Sequence, residues 1–237
     1  MGDLTIIYLT ANRFPLFKQW EQYHRKILLE AVGDRPLITI SKVPMDLPGV
    51  NLLDTGKRSS YNYYCQILRG AKEAKTPFIA IAEDDVLYTR DHFDFFRPPL
   101  DTFAYNANHW QMFSWGEPTY FYKKLRISAC FGIFPREETI SAFEERFAKW
   151  PNGIPHEFNG EPGHNRFEKK LGVTLRKTVH YYSPNPGLQI CHEHCMPEDG
   201  ATEADTARRA HRRKMGSMRA FDIPYWRMAE DLVRNFK

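Results

Sequence analysis

Hydrophobic and polar positions alternate along the first half of the chain with two different periods. Short runs of apolar and β-branched residues predict strands at residues 4–9, 37–40, 50–53 and 78–82. Between these runs, apolar side chains at helical spacing predict helices over residues 14–32 and 59–75. Strands that alternate with helices favour parallel pairing, so this half is expected to form a nucleotide-binding α/β unit.

The second half of the chain has a different pattern. Its apolar runs are short, rich in aromatic residues and separated by turn residues, which is typical of antiparallel or mixed strands. We expect such strands at residues 111–115, 120–122, 127–134, 173–182 and 188–192. Helices are predicted over residues 137–150, 165–171 and 224–236, and a Pro- and Gly-rich loop over 151–163. A loop of that length in a compact domain often borders a functional cleft.

The composition allows one hydrophobic core. With 237 residues, of which 42% are hydrophobic, the chain has little room for two independent domains. We expect one domain over residues 1–195 and a basic helical extension over 196–237 that packs on it. No apolar stretch reaches the roughly 18 residues of a membrane span and no signal-peptide pattern opens the chain, which predicts a cytoplasmic protein without a membrane partner. Four scattered cysteines are typical of structural thiols in a reducing compartment.

The apolar run at residues 78–82 ends abruptly in three acidic residues, Glu83, Asp84 and Asp85. The carboxyl end of such a strand is where an open α/β sheet binds its ligand. Three adjacent carboxylates repel one another unless a cation or sugar hydroxyls satisfy them, and their hard oxygen atoms suit Mg²⁺ or Mn²⁺ that holds a diphosphate. The alternative is a solvated junction between strand and loop, with an N-cap for the following helix.

Several segments occur in a characteristic order. They are Thr10-Ala11-Asn12-Arg13, 61–71, 76–88, His92-Phe93, Pro98-Pro99 and Tyr105-Asn106-Ala107-Asn108. This order resembles the GT-A glycosyltransferases over about residues 4–195, specifically the compact family-2-like enzymes that are common in bacteriophages. The resemblance implies a single GT-A-like, Rossmann-like α/β domain with a mixed, mainly parallel sheet and a helical C-terminal tail. It also implies the cytoplasm of an infected or host bacterial cell as the location.

The same resemblance implies a metal-dependent transfer of a sugar from a nucleotide diphosphate sugar to an acceptor hydroxyl, with a UDP-sugar favoured as donor. Asp85 is then the best ligand for Mn²⁺ or Mg²⁺. Glu83 and Asp84 act as a second metal ligand or bind the ribose of the donor.

Two further groups of residues match donor-binding positions of the family. Thr10, Asn12 and Arg13 match the position that cradles the nucleotide base, although an ordinary turn between a strand and a helix would use the same residue types. Lys57 and Arg58, just before the second predicted helix, are placed to meet a phosphate or a base edge. The alternative for this pair is two solvated basic side chains in a loop.

The family often supplies one more metal ligand from a late strand or loop, frequently a histidine. His192 is the candidate, because it lies where a predicted strand ends. Its neighbourhood, Cys191-His192-Glu193-His194-Cys195, permits a zinc site as an alternative, since Cys and His are preferred zinc ligands. Adjacent ligands point to opposite faces of an extended chain, so zinc would need a distorted loop or a partner chain. The third interpretation is core cysteines with a surface histidine.

Sugar transfer with inversion needs a base that deprotonates the acceptor hydroxyl, while the metal offsets the charge on the leaving diphosphate. Glu161 fits this role, because Gly and Pro in residues 159–165 hold a tight turn that lifts the carboxylate clear. His164 and Glu168 are competing candidates, and a surface glutamate in a turn is the plain alternative. The best-known family-2 pattern has a Glu-Asp pair before a helix, which is absent here, so the base and the stereochemistry stay open.

A stretch near the C-terminus carries positive charge without acidic residues. Its basic residues are Arg208, Arg209, His211, Arg212, Arg213, Lys214 and Arg219. On a helix they form a basic face that favours phosphate backbones, so DNA is the expected acceptor, and the phage resemblance implies hydroxymethylated pyrimidines in it. A solvated basic face is the alternative. The aromatic residues that would stack on a base, or else belong to the core, are Trp110, Phe113, Trp115, Tyr120, Phe121 and Tyr122.

Three other functions are compatible with the sequence. A glycan, lipid carrier or protein as the acceptor would make the basic tail dispensable. A non-catalytic nucleic-acid-binding protein on a glycosyltransferase scaffold is disfavoured by the intact acidic triplet. A metal-dependent nucleotidyl- or phosphotransferase is weakened as an alternative because the sequence has no Gly-rich phosphate loop.

Overall fold

A seven-stranded mixed sheet lies at the centre of the fold. The computed structural model describes residues 2–12, 18–113, 120–122, 128–155, 158, 160–191 and 222–235. In chain order the strands are β1 (Leu4–Thr10), β2 (Leu37–Ser41), β3 (Val50–Leu53), β4 (Phe78–Glu83), β5 (Val86–Leu87), β6 (Thr102–Asn106), β7 (His109–Phe113), β8 (Tyr120–Tyr122), β9 (Gly132–Pro135), β10 (Lys177–Tyr181), β11 (Gly187–Cys191), β12 (Asp222–Ile223) and β13 (Arg227–Met228). The helices are α1 (Lys18–Val32), α2 (Ser60–Glu73), α3 (Arg90–Asp94), α4 (Arg136–Lys149), α5 (Asn165–Leu171) and α6 (Ala229–Arg234).

The strands of the central sheet follow the order β10-β6-β9-β4-β1-β2-β3. β1 pairs in parallel with β2 and β4, β2 with β3, and β6 with β10, whereas β9 runs antiparallel to β4 and β6. This arrangement confirms the expected α/β class with a mixed, mainly parallel sheet. Because every strand of this sheet except β9 points the same way, the loops that follow those strands meet at one edge.

Helices cover both faces of the central sheet. Because successive side chains of a strand alternate, Ile6 and Tyr8 pack into one core with α1 and α3, whereas Ile7 and Leu9 pack into a second core with α2 and α4. Gly70 lets α2 approach the sheet closely, since a Cβ atom there would lie 2.6 Å from Cγ2 of Ile7. The two helices that flank β1 are therefore held firmly against the strand that carries Thr10.

A second sheet has the order β5-β11-β7-β8. The parallel pair β6 and β10 leads directly into the parallel pair β7 and β11 of this sheet. Asn106 lies at the junction, where its Nδ2 donates to Oγ of Ser183 at 2.7 Å and to Nδ1 of His92 at 3.1 Å. Its Oδ1 accepts a hydrogen bond from N of Asn108 at 2.9 Å. Asn106 and Asn108, which the sequence pattern singled out, thus help to join the two sheets.

Some elements differ from their sequence-based bounds. Strand β6 was not predicted, and β10 begins only at Lys177 because the preceding backbone N–H of Arg176 binds the Glu168 carboxylate. The helix predicted over residues 224–236 begins only at Ala229. The chain first makes a hairpin between β12 and β13, in which Tyr225 and Arg227 have φ angles of 70° and 63°.

The described C-terminal segment packs behind the second sheet. Ile223, Trp226 and Leu232 enter a core cluster that also contains Trp20 of α1. Nε1 of Trp226 donates to the carbonyl oxygen of Pro186 at 2.8 Å, which ties the hairpin to the start of β11. Among the helices of the described ranges, none has the length and apolar character that crossing a lipid bilayer requires.

Candidate active site

The carboxyl ends of β1 and β4 lie side by side, because the two strands are parallel and Leu9 is paired with Glu83. The acidic triplet therefore comes directly beside the turn that follows β1. We call residues 83–86 the acidic turn. Asp84 and Asp85 are 8% and 7% exposed, so both carboxyl groups lie mostly within the protein rather than in open solvent.

Asp84 faces β1. Its Oδ2 accepts hydrogen bonds from Oγ1 of Thr10 at 2.8 Å and from the backbone N of Ala11 at 3.2 Å. The structure thus brings Thr10 and Asp84 together, as two residues that were both predicted to bind the donor. In this contact Thr10 fixes the orientation of the Asp84 carboxylate.

Glu83 faces α2. Its Oε1 accepts a hydrogen bond from the hydroxyl of Tyr63 at 2.5 Å, and its backbone N donates to the hydroxyl of Tyr88 at 3.0 Å. Burial, together with the negative charge of Glu83, raises the pKa of Tyr63 well above its usual value. At neutral pH Tyr63 is therefore a neutral phenol that donates to the carboxylate.

Side chains of α1 bind the backbone carbonyl oxygens of the acidic turn. Nε1 of Trp20 donates to the carbonyl oxygen of Asp84 at 2.9 Å, and Nε2 of His24 lies 3.0 Å from the carbonyl oxygens of both Glu83 and Val86. Burial lowers the pKa of His24, so its ring is neutral, and two acceptors at Nε2 place the proton on that nitrogen. Sequence reasoning missed both residues, because they lie on the apolar face of α1 and give no polar signal.

The donor set of the acidic turn fits a cation that is shared with a substrate. Within the described part of the chain, no three His, Cys, Asp or Glu side chains converge as a complete set of metal ligands. Mg²⁺ and Mn²⁺ sites of diphosphate-using enzymes have one or two carboxylates and fill their remaining positions with phosphate oxygens and water. Asp85, with Glu83 or Asp84, would supply carboxylates of that kind.

Asn12 shapes the turn after β1 and adopts a left-handed backbone conformation with φ of 51°. Its Oδ1 accepts hydrogen bonds from the backbone N of Lys42 at 2.6 Å and of Val43 at 3.0 Å. Its own backbone N donates to Oγ1 of Thr10 at 3.1 Å. Asn12 therefore ties the ends of β1 and β2 together, which is a structural role for a residue predicted to cradle the base.

A buried carboxylate that sequence reasoning missed lies after β3. Asp54 accepts hydrogen bonds from Nδ2 of Asn62 at 2.9 Å and Nε2 of Gln66 at 2.6 Å, and it forms an ion pair with Lys42. Burial opposes its ionisation, but these donors outweigh that effect and lower the pKa of Asp54. This cluster fixes the loop before α2, in which Lys57 is exposed and Arg58 is partly buried.

A second carboxylate-bearing segment, residues 160–163, lies over β6. We call it the Glu161 loop. Arg146 donates from Nη1 to the carbonyl oxygen of Gly160 at 2.6 Å, and the hydroxyl of Tyr105 donates to the carbonyl oxygen of Pro162 at 2.6 Å. Arg146 and Tyr105 are each 1% exposed. The backbone on both sides of Glu161 is therefore held by buried side chains.

Glu168, a competing candidate for the base, has a structural role. Its Oε1 accepts from the backbone N of Gly163 at 2.6 Å and its Oε2 from the backbone N of Arg176 at 2.9 Å. Both oxygens of this buried carboxylate thus bind backbone groups. His164, the other competitor, packs its ring against Phe167 at a centroid distance of 4.6 Å.

Tyr64 of α2 links the two acidic regions electrostatically. Burial and then the negative charge of Glu161 raise the pKa of Tyr64 well above its usual value, Arg146 acts in the opposite direction, and Glu83 adds to the rise. Charges on both Glu161 and Glu83 therefore act on the same phenol. Both carboxylates therefore lie close enough to the Tyr64 hydroxyl for their charges to act on it.

Some predicted site residues lie outside the described residues. They are Arg13, His192, His194, Cys195 and the basic residues Arg208, Arg209, His211, Arg212, Arg213, Lys214 and Arg219. Of the predicted aromatic stacking set, Trp110 packs against the core cluster of the second sheet. The remaining side chains of that set, and that of Cys191, are likewise not described.

Comparisons with known proteins gave distant matches only. No protein-family model matches the sequence, and no curated protein matches it. A mannosyltransferase from Pyrobaculum calidifontis, solved with GDP-Man and Mn²⁺, is 14% identical with a TM-score of 0.43, over 88% of this chain and 61% of its own. This chain thus spans less than two thirds of that enzyme.

Two other solved structures have similar values. A glycosyltransferase involved in glycosylation of the major capsid of PBCV-1 is 11% identical with a TM-score of 0.45, over 89% of this chain and 99% of its own. The 2-C-methyl-D-erythritol 4-phosphate cytidylyltransferase from Thermus thermophilus is 12% identical with a TM-score of 0.47, over 76% of this chain and 89% of its own. Similarity at this level assigns neither a family nor an activity to the chain.

Proposed function

We propose that this protein is a metal-dependent glycosyltransferase that uses a nucleotide diphosphate sugar. The observation that carries the proposal is the acidic turn, whose carboxylates are held beside the end of β1 at the edge of the sheet where open α/β folds bind ligands. Holding three adjacent carboxyl groups together, two of them mostly buried, costs stability, which a bound cation offsets. The sequence resemblance to GT-A enzymes supports the same function and favours a UDP-sugar.

The donor is proposed to bind across the ends of β1 and β4. Asp85 would hold Mn²⁺ or Mg²⁺, with Glu83 and His192 as further ligands, and the bound ion would offset the charge on the departing diphosphate. Asp84 is fixed by Thr10 in an orientation that suits a ribose hydroxyl. The remaining donor contacts are assigned to the positions Asn12, Arg13 and Arg58.

Glu161 is proposed as the base. Its carboxylate accepts the proton of the acceptor hydroxyl as that oxygen forms a bond to the anomeric carbon, and the bond from this carbon to the diphosphate breaks. A single displacement of this kind inverts the anomeric centre. The position of Glu161 supports the role, because two buried side chains, Arg146 and Tyr105, hold the backbone carbonyls on either side of it.

The acceptor is proposed to be DNA that contains 5-hydroxymethylpyrimidine. A net charge of +4 and the run of basic residues in 208–214 support a polyanionic acceptor. Arg208, Arg209, Arg212, Arg213 and Lys214 would contact its phosphates. The hydroxymethyl group would supply the hydroxyl that reacts, in agreement with the sequence resemblance to the phage enzymes.

The first test is a direct assay of sugar transfer. Mass spectrometry would follow hydroxymethylated and unmodified DNA after incubation with the protein, Mn²⁺ and a set of nucleotide sugars, and nucleoside diphosphate release would be measured separately. A sugar-sized mass gain confined to the modified DNA is expected. Diphosphate release without DNA modification would retain the transferase and reject DNA as acceptor, whereas pyrophosphate release from a nucleoside triphosphate would point to a nucleotidyltransferase and overturn the proposal.

Two variants separate the proposed roles. Asp85→Asn is expected to lose Mn²⁺ binding and to reduce donor turnover by about 10²–10³-fold. Glu161→Gln is expected to reduce transfer by about 10²–10⁴-fold while Mn²⁺ binding stays unchanged. Asp46→Asn and Glu73→Gln are matched controls at exposed positions. Full activity of Asp85→Asn would remove the metal assignment, and full activity of Glu161→Gln would remove the base.

A further inference from the structure

An open pocket of about 330 Å³ lies directly after the Glu161 loop. Its lining residues come from the loop itself, from the start of α5 and from the edge strand β10. They are Gly163, His164, Asn165, Arg166, Thr178 and His180. Asn165, Arg166 and His180 are exposed, so the pocket is a shallow depression in the surface rather than an enclosed cavity.

The floor of the pocket is fixed by the backbone at Gly163. This residue has a φ angle of 80°, and a Cβ atom there would lie 1.9 Å from Oγ1 of Thr178. Thr178 donates from that hydroxyl to the carbonyl oxygen of Gly163 at 2.9 Å, while the N–H of Gly163 binds Glu168. Only glycine fits here, so the backbone at the floor of the pocket is tightly constrained.

The lining offers hydrogen-bond donors and positive charge but no carboxylate. Several other arginines of the described chain are engaged in ion pairs, as Arg97 is with Asp3 and Arg176 is with Glu138. Within the described ranges, neither the Arg166 guanidinium nor the His180 ring forms an ion pair or a hydrogen bond. The Arg166 cation, next to the Asn165 amide and the His180 ring, favours an anionic ligand.

The Glu161 loop lies between the acidic turn and the pocket. The acidic turn follows β4, and β9 and β6 separate β4 from β10. Three strand spacings of about 4.8 Å put the pocket roughly 14 Å across the sheet from the acidic turn. Since the Glu161 loop lies over the intervening strand β6, the pocket is on the acceptor side of Glu161 rather than with the donor diphosphate.

We propose that this pocket binds a backbone phosphate of a nucleic-acid acceptor. The assignment rests on the proposed function, because it places the phosphate next to the hydroxyl that Glu161 deprotonates. Pockets for small molecules enclose most of the ligand surface, which this open depression does not do. One phosphate of a polymer that passes over the surface needs only such a shallow contact, and the net charge of +4 favours a polyanion.

The test measures binding without donor or metal, so that it does not depend on sugar transfer. Fluorescence anisotropy would follow a labelled single-stranded oligonucleotide on the full-length protein over a series of salt concentrations. Arg166→Ala is expected to weaken binding several-fold and to reduce the slope of log affinity against log salt by about 0.7, the value for one lost phosphate contact on a single strand. His180→Ala is also expected to weaken binding, because it removes a hydrogen-bonding ring from the pocket.

Arg90→Ala is the matched control. Arg90 is likewise exposed, although it pairs with Asp94, and its guanidinium lies near Gly33 before the amino end of β2, at the sheet edge opposite the acidic turn. An equal loss of affinity in both arginine variants would show a general charge effect and overturn the pocket. A second outcome would also overturn the nucleic-acid assignment. In it, inorganic phosphate or a short-chain prenyl phosphate binds the pocket, whereas Arg166→Ala leaves oligonucleotide binding unchanged. The pocket would then be a site for a terminal phosphate.

The two proposals fail separately in this design. Donor turnover by the wild type, together with unchanged oligonucleotide binding by Arg166→Ala, would reject the pocket and leave the glycosyltransferase intact. Arg166-dependent oligonucleotide binding in a protein that turns over no nucleotide sugar would retain the phosphate site and reject the proposed function.

Discussion

The acidic turn and the Glu161 loop both present carboxylates, but the protein holds them in different ways. In the acidic turn the side-chain oxygens themselves accept hydrogen bonds, those of Asp84 from Thr10 and those of Glu83 from Tyr63. In the Glu161 loop, Arg146, Tyr105 and Glu168 bind main-chain atoms of the neighbouring residues.

This difference matches two kinds of chemistry. A carboxylate whose direction is fixed provides a constant field for a cation, and it needs no reorganisation when charge develops on a leaving group. A base has to change its protonation state and meet a hydroxyl that arrives with the acceptor, and the fixed backbone on both sides of Glu161 positions the residue for that role. The comparison thus supports metal binding at the acidic turn and proton transfer at Glu161.

The largest expected effect comes from loosening the acidic turn at its backbone. Trp20→Phe removes the donor to the carbonyl oxygen of Asp84 and leaves that buried acceptor without its partner. Because groups that orient metal ligands typically contribute 10–100-fold to affinity, we expect Mn²⁺ binding to weaken by about that factor. Titration of the protein with Mn²⁺, followed by electron paramagnetic resonance of the free ion, measures the change.

Trp226→Phe is the matched control for this prediction. Trp226 lies in the same core cluster and donates its Nε1–H to the carbonyl oxygen of Pro186 at 2.8 Å, away from the acidic turn. Both variants should lose about 1–3 kcal/mol of unfolding free energy, but only Trp20→Phe should lose metal affinity. Equal metal affinity in the two variants would show that Trp20 contributes to stability alone.

The sequence predicted the acidic turn well because its signal is local. A buried strand that ends at Glu83, Asp84 and Asp85 is a strong sign of a ligand site at the end of that strand. The alternating strands and helices before it determine which edge of the sheet the triplet occupies. The helix bounds in this half also agree closely with the structure, since helical periodicity and the Ser59 N-cap are local features.

The parts that were missed depend on contacts between distant segments. In the sequence, Trp20 and His24 are ordinary members of an apolar helix face. Their ring nitrogens reach the carbonyl oxygens of Asp84 and Glu83 only because α1 packs against the acidic turn. Asp54 is a single acid in a polar loop until α2 brings Asn62 and Gln66 to it. Residues 224–228 fit a helical pattern, but they form part of a hairpin instead, because the hairpin buries Trp226.

Acid should lower the stability of the folded protein through a histidine near the acidic turn. His92 is fully buried beside Tyr88, just after the acidic turn, and burial lowers its pKa from 6.5 to about 3. Below pH 6.5 the unfolded chain binds a proton that the folded protein does not, so stability falls as the pH falls towards 3. This residue alone contributes a slope of about 1.4 kcal/mol per pH unit in that window.

His92→Gln should flatten this loss of stability. Urea unfolding at several pH values between about 7 and 4 measures the slope for the wild type and the variant. His180→Gln, at an exposed position, serves as the control and should keep the wild-type slope. If His92→Gln keeps it as well, then other groups, including the buried His24 whose pKa is also lowered, account for the acid sensitivity.

The smallest expected effect comes from loosening the Glu161 loop. Tyr105→Phe removes the hydroxyl that donates to the carbonyl oxygen of Pro162, so the loop gains freedom while the acidic turn is untouched. We expect kcat to fall roughly tenfold, because misplacing a catalytic group by a fraction of an ångström weakens proton transfer, with Mn²⁺ affinity unchanged.

Tyr181→Phe is the control for that variant, since the Tyr181 hydroxyl also donates to a buried carbonyl oxygen, that of His92 at 3.2 Å. Each variant removes one buried hydroxyl, so their losses of unfolding free energy should be similar. A fall in kcat confined to Tyr105→Phe would mean that the loop acts by positioning Glu161. A fall in Mn²⁺ affinity in Tyr105→Phe would instead show that the two regions are coupled through α2, and the division of roles between them would have to be abandoned.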